Sequence, residues 1–119
     1  MITTSNLTKK YNNNLVLHIE SLEIPKGQSF GLVGNNGAGK TTYFSLLLDL
    51  IQPTTGQIIN NNVLVNESED WKPFTSSFID ESFLIGYLTP EEYFYFVGEL
   101  RHQNKADVDA LLSQFEGFF

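Results

Sequence analysis

The 119-residue chain contains no cysteine, so it can form neither a disulfide framework nor a thiolate metal site. Its apolar runs are short. No stretch approaches the roughly 18 residues a membrane-spanning helix requires, and the N-terminus lacks the basic segment followed by an apolar run that marks a secretion signal. These absences predict a soluble, cytoplasmic chain. Basic residues are scarce too: seven Lys and Arg stand against fourteen Asp and Glu, for a net charge of -7. A phosphate backbone is bound by clustered Lys and Arg that release counterions, so no direct nucleic-acid partner is expected. What is present is ordinary globular composition, 41% hydrophobic and 18% charged, which excludes wholesale disorder and collagen-like classes. The length suits one domain and leaves no room for a second full one.

The acidity is unevenly placed. Residues 1–60 carry Lys9, Lys10, Lys26 and Lys40 against Glu20, Glu23 and Asp49, whereas residues 61–119 carry Lys72, Arg101 and Lys105 against eleven acids. The first half is close to neutral and the second strongly negative. The simplest physical reading of such a half is a solvated face that keeps the protein soluble.

The first half alternates short apolar runs with turn chemistry and reads as strands. Residues 2–7 form a first candidate strand and residues 15–24 a second, entered through Asn12-Asn13-Asn14 and closed by Pro25-Lys26-Gly27. Residues 29–33 are a compact apolar run of the buried parallel-strand type, ended by Gly34. A helix is predicted from Gly39 or Lys40 to about Ile51, with Phe44, Leu47, Leu48 and Ile51 at helical spacing and Pro53 as the stop. Residues 56–59 and 63–65 flank Asn60-Asn61-Asn62 as a hairpin, and residues 76–79 are a further short strand candidate. Thr89-Pro90-Glu91-Glu92 combines a cap, a proline at the first helical position and an acid three residues on, predicting a helix to about His102. A last helix is predicted near residues 107–115, with Val108, Leu111, Leu112 and Phe115 on one face.

The most informative stretch is Gly34-Asn35-Asn36-Gly37-Ala38-Gly39-Lys40-Thr41, which fits G-x-x-x-x-G-K-[ST] throughout. An apolar run precedes it and an apolar-periodic helix follows, which is the context the motif demands. Glycines let successive N–H groups curl inward as an anion nest, and the helix N-terminus adds partial positive charge aimed at the same phosphates. Lys40 supplies a point charge for the β- and γ-phosphates, and the Thr41 hydroxyl is placed to ligate Mg²⁺. A chance match in a chain of this length is expected on the order of a few times per thousand sequences. Asn35, Gly37, Ala38, Gly39, Lys40, Thr41 and Thr42 are the candidate phosphate-binding positions, with a nucleoside triphosphate, ATP or GTP, and Mg²⁺ as the implied ligands.

The extended loop GNNGAGKTT resembles the Walker A sequence of ABC-type ATPases, the nucleotide-binding subunits of ABC transporters. The opening LTKKYNN resembles the segment that delivers an aromatic to the adenine ring, which implies that Tyr11 stacks on the base. Lys9 and Lys10 beside it read as a solvated edge. IPKGQSFGLVG, PTTGQIINN and LTPEEYFYFVGEL resemble, in order, the turn and strand leading into the loop, the strand turn after the first helix, and the start of the helical subdomain. The resemblance implies an α/β P-loop NTPase of the ABC-ATPase type, a mixed sheet with an antiparallel β-subdomain around a P-loop core. Residues 1–88 would be the β-subdomain and core and residues 89–119 the start of the helical subdomain. It also implies a transmembrane permease subunit as partner, a homodimer of the complete domain, and a cytoplasmic place peripheral to the membrane.

The sequence departs from the family pattern at the Q-loop, where a Gln is usual: the alignment puts Asp80 there, followed by Glu81. A carboxylate suits Mg²⁺, so Asp80 is a candidate metal-adjacent residue, and it is equally readable as a surface acid. The aromatics Phe83, Tyr87, Tyr93, Phe94, Tyr95 and Phe96 read first as core and secondly as a docking surface for the membrane subunit. No LSGGQ-type signature follows Gly56, and no apolar strand ends in adjacent acids. Neither His18, read as a strand-surface residue, nor His102, read as closing a helix, stands where a switch His belongs. Phosphoryl transfer to water needs a positioned nucleophile and stabilised charge, so these 119 residues alone are expected to bind nucleotide weakly or not at all and to show no appreciable hydrolysis. The pattern reads as the N-terminal half of a cassette. The competing functions are a nucleic-acid-associated ABC-type ATPase and a non-catalytic P-loop binding module.

Overall fold

The computed structural model describes residues 1–35, 39–80, 82 and 84–117, so Gly37, Ala38, Glu81 and Phe83 lie outside the described residues. Its contacts divide the chain into two units, Met1–Ile79 and Asp80–Phe119.

In the first unit, β1 (Ile2–Tyr11) and β2 (Asn14–Ile24) form a long antiparallel hairpin, and β3 (Thr55–Asn60) and β4 (Val63–Leu64) a short one. The strand order is β2-β1-β3-β4, antiparallel throughout. Both hairpins turn on asparagines. Asn61 and Asn62 both take positive φ, as a two-residue turn that follows the strand twist requires, and Asn12 does the same between Tyr11 and Asn14. The turn in the second hairpin is therefore two residues, with Asn60 in the strand.

β1 is interrupted where its pairing with β3 shifts between Ser5 and Thr8, and Asn6 there adopts φ 48°. The extra residue resets the alternation of faces, so that Thr4 and then Leu7 point into the core. Gly56 lies opposite at φ 83°, and a Cβ on it would stand 2.2 Å from the Asn6 carbonyl oxygen. Only glycine accommodates that approach.

The helix α1 (Lys40–Leu47) covers this sheet. Its Tyr43 and Leu46 join Leu7, Ile58, Val65 and Trp71 in the buried core, and the Trp71 indole N–H donates to the Val65 carbonyl at 3.1 Å. The predicted apolar face is thus rotated: Leu47, Leu48 and Ile51 are only partly buried and Phe44 is exposed. The helix also stops earlier than Ile51. Asp49 takes φ 55°, its N–H bonds to the Leu46 carbonyl and the Leu50 N–H to that of Ser45, closing the helix in a Schellman arrangement before Pro53 is reached.

Two predicted strands are corrected. Residues 29–33 and 76–79 adopt no strand structure, and Val33 is 95% exposed. A strand is held by a ladder of hydrogen bonds to a neighbour, and among the described residues no strand lies beside either run.

In the second unit, α2 (Pro90–Leu100) begins with a complete capping box, in which Thr89 accepts from the Glu92 N–H and Glu92 accepts from the Thr89 N–H. It ends in a second Schellman arrangement, with His102 at φ 61° and the Gln103 N–H on the Gly98 carbonyl at 2.8 Å. His102 is therefore the left-handed residue past the helix end and not its last turn. The helix α3 (Lys105–Ser113) starts two residues before the predicted position, because Asn104 and Asp107 form another capping box. The two helices meet where Gly98 faces Val108; a Cβ on Gly98 would stand 2.5 Å from Val108 Cγ2. The reading of the aromatics as core is overturned. Tyr87 is 88% exposed and Phe96 44%, and Tyr93 and Tyr95 are only partly buried; the Tyr95 hydroxyl donates to Asp109 of α3, and the Lys105 ammonium lies 5.4 Å from the Tyr95 ring centroid.

Candidate functional site

The site is built where the loop after residue 33 turns into α1. Gly39 caps the helix at φ 94°, and its missing side chain lets it sit against β2: a Cβ would stand 2.8 Å from the Val16 carbonyl oxygen and 3.2 Å from Leu17 Cδ1. Sheet and helix are thus locked together at the loop's last glycine. The first intrahelical bond runs from the Tyr43 N–H to the Gly39 carbonyl at 2.9 Å. The amides of Lys40, Thr41 and Thr42 lie ahead of it, with no acidic residue in the first turn and no side-chain cap bonded across them.

Those amides carry the positive end of the helix dipole, and Lys40 adds a full charge beside them. The Lys40 ammonium donates to the Gly34 carbonyl, so its head lies against the loop's first glycine. Thr41 is exposed and its hydroxyl is available at the same helix end. A set made of N–H donors, one ammonium and one hydroxyl fits a polyphosphate, and the hydroxyl oxygen fits a hard cation such as Mg²⁺. Asn35 is exposed on the near side of the loop; Gly37 and Ala38 fall outside the described residues.

Tyr11 ends β1 and is 49% exposed. Leu17, which Gly39 touches, pairs with Lys9 across the hairpin, so Tyr11 lies two residues, or about 7 Å, further along the strand. The strand register therefore brings the aromatic to the neighbourhood of the loop. Lys9 is half-buried, and its ammonium donates to the Gln52 carbonyl at 2.7 Å and lies 5.0 Å from the Tyr11 ring centroid. Lys10 stays exposed.

Asp80 belongs to the second unit and is exposed. Its carboxylate accepts from the Ser82 hydroxyl and, at 2.7 Å, from the Ser82 N–H, and these bonds, the hydroxyl first, hold it below the usual carboxylate range. It is an ionised oxygen donor engaged in its own turn. Among the described residues no group of three or more His, Asp or Glu side chains could hold a metal, and no helix is long and apolar enough to cross a membrane.

The profile of the family described as ABC transporter matches residues 17–118. The bacitracin transport ATP-binding protein BcrA of Enterococcus faecalis is 47% identical over 58 residues, which are 49% of this chain and 19% of that protein. The lantibiotic transport ATP-binding protein SrtF of Streptococcus pyogenes is 41% identical over 59 residues, 50% of this chain and 26% of that one. Among solved structures, the dimeric structure of MJ0796, a bacterial ABC transporter cassette, superposes with a TM-score of 0.74 at 24% identity, covering 87% of this chain and 49% of the other. A post-hydrolysis state of the same cassette, bound to ADP and phosphate, gives a TM-score of 0.71 at 22% identity, covering 85% and 48%. These likenesses establish an ABC cassette fold, and the chain spans about half the length of the cassettes it matches.

Proposed function

The chain belongs to the ABC transporter family, and from that premise we propose that it is the nucleotide-binding segment of an ATP-binding subunit that powers transport through a separate membrane subunit. The observation that carries the reading is the junction at Gly39, where a left-handed glycine seated on the Val16 carbonyl opens a helix whose first residues are Lys40 and Thr41. The amides of Lys40, Thr41 and Thr42 and the Lys40 ammonium hold the β- and γ-phosphates, and by the motif Asn35, Gly37, Ala38 and Gly39 are further phosphate-binding positions. Bound Mg²⁺ would neutralise phosphate charge. Thr41 is the residue to ligate it, and the Asp80 carboxylate is of the oxygen-donor type that suits such a cation. Tyr11 stacks on the base.

The names of the relatives, bacitracin and lantibiotic transport proteins, support a role in transport. The fold's occurrence in a dimeric cassette supports pairing of the complete domain, and attachment to a membrane subunit would place the protein at the cytoplasmic face. In this reading residues 89–119 begin the helical subdomain. The sequence carries the phosphate-binding motif without an LSGGQ-type signature or an apolar strand ending in adjacent acids, so the 119 residues bind MgATP and do not turn it over by themselves.

Titration with a fluorescent ATP analogue tests the assignment. Lys40→Ala removes the charge from the cradle and should weaken binding by about 10- to 100-fold, the scale of a hydrogen bond to a charged group. Equal affinities for the two proteins would remove Lys40 from the phosphate site.

A further inference from the structure

We infer that Lys9 is a positioning residue for base stacking, holding Tyr11 as a platform with a single open face; this rests on the reading of Tyr11 as the stacking residue. Three observations lead there. The Lys9 ammonium lies 5.0 Å from the Tyr11 ring centroid, within reach of a cation–π contact, so one face of the ring is occupied by the chain's own cation. Tyr11 is 49% exposed as a residue, so it is accessible to a ligand despite that contact. The same ammonium donates to the Gln52 carbonyl at 2.7 Å, in the segment that follows α1.

That last bond gives the contact its purpose. A tyrosine at a strand end beside a turn is free to swing about its side-chain torsions, and stacking would have to overcome that freedom. Lys9 is not free to follow it, being fixed at its head by Gln52 and at its backbone by the pairing of Lys9 with Leu17. Two more bonds secure the stem on which Tyr11 stands: the Thr54 N–H donates to the Thr8 carbonyl at 2.9 Å, and the Lys10 N–H donates to the Thr54 hydroxyl at 2.9 Å. The segment after α1 and the strand carrying Tyr11 are therefore one assembly. The Asn6 bulge and the alternation that follows put Lys9 on the face of Leu7, towards the chain that leaves α1.

A positioning role of this kind acts on the base and leaves the phosphates alone. Binding of ATP and of inorganic tripolyphosphate, which has no base, is measured by competition against a fluorescent ATP analogue for the wild type, Lys9→Met, Lys9→Arg, Tyr11→Ala and the double variant Lys9→Met/Tyr11→Ala. Thermal unfolding of each variant, followed by circular dichroism, verifies that it is folded. Lys9→Met should weaken ATP by about two- to fivefold, the worth of an exposed cation–π contact, and leave tripolyphosphate unchanged. Lys9→Arg keeps a cation over the ring and should restore ATP affinity. In the Tyr11→Ala background Lys9→Met should cost nothing further. An equal loss for ATP and tripolyphosphate would make Lys9 a phosphate contact and overturn the inference. Wild-type ATP affinity in Lys9→Met alongside a loss in Tyr11→Ala would overturn the inference and leave the stacking role of Tyr11 standing. No loss in Tyr11→Ala, or no ATP binding by the wild type, would overturn both.

Discussion

The hydroxyls of Tyr43 and Thr4 lie 2.6 Å apart with both side chains buried, joining the helix that carries Lys40 to the first strand of the sheet. Burial raises the Tyr43 phenol above its ordinary value and the bond to Thr4 works against that rise, as expected for a neutral hydroxyl held in the core. The helix is thus fixed on the sheet by a specific polar contact as well as by the packing of Leu46 on Leu7 and Ile58.

Tyr43→Phe leaves the Thr4 hydroxyl buried without a partner and should cost about 1–3 kcal/mol of stability. Adding Thr4→Val removes the orphaned group and should recover most of that loss, so the double variant is more stable than the single. Urea unfolding followed by tryptophan fluorescence reads the difference, since Trp71 lies in the same core. Losses that simply add would show that the two hydroxyls do not act as a pair.

The contact between α2 and α3 depends on a hydrogen atom at position 98. Gly98→Ala puts a methyl 2.5 Å from Val108 Cγ2, and overpacking of this kind costs typically about 1–3 kcal/mol. Val108→Ala in the same chain vacates the space, so the pair of substitutions should be better tolerated than Gly98→Ala alone. Helix content followed by circular dichroism during thermal unfolding measures it. Equal destabilisation with and without Val108→Ala would mean that the two residues are not in contact.

Glu92 sets a pH dependence for the start of α2. Its carboxylate accepts from the Thr89 N–H and hydrogen-bonds with the Thr89 side chain, which lowers its pKa below the ordinary 4.5. A depressed folded value means that its contribution is fully present above the ordinary value and is lost as pH falls through the folded one. Glu92→Gln keeps an acceptor for the capping box and cannot titrate. The stability advantage of the wild type over this variant should therefore shrink on acidification through the carboxylate range, measured by thermal unfolding at a series of pH values. An advantage that stays constant with pH would contradict the assignment.

Much of this molecule is legible along the chain because its cause is local. The Thr89 capping box, the asparagine turns and the glycine that opens α1 each depend on a few consecutive residues. The Asn104–Asp107 pair carried the same signal as Thr89–Glu92 and would have placed the start of α3 correctly. What local pattern cannot supply is a neighbour. Residues 29–33 have the composition of a buried strand, yet strand structure needs a ladder partner, and Val33 stands 95% exposed where the described residues provide none. The Lys9–Tyr11 contact is hidden for a related reason. It follows from a register set by the bulge at Asn6 and from a bond to Gln52, 43 residues away, and neither is visible in the run LTKKYNN. At the candidate site, Gly39, Lys40 and Thr41 were readable from spacing, whereas the seat of Gly39 on Val16 required the fold.

The central claim is that the N-terminus of α1, with Lys40, is a phosphate cradle. Backbone amide chemical shifts recorded while ATP and Mg²⁺ are titrated into the chain test it residue by residue. The largest changes should fall on Gly39, Lys40, Thr41 and Thr42, with inorganic tripolyphosphate reproducing them and ATP adding changes around Tyr11. Saturating changes confined to other segments, with residues 39–42 unmoved, would contradict the account.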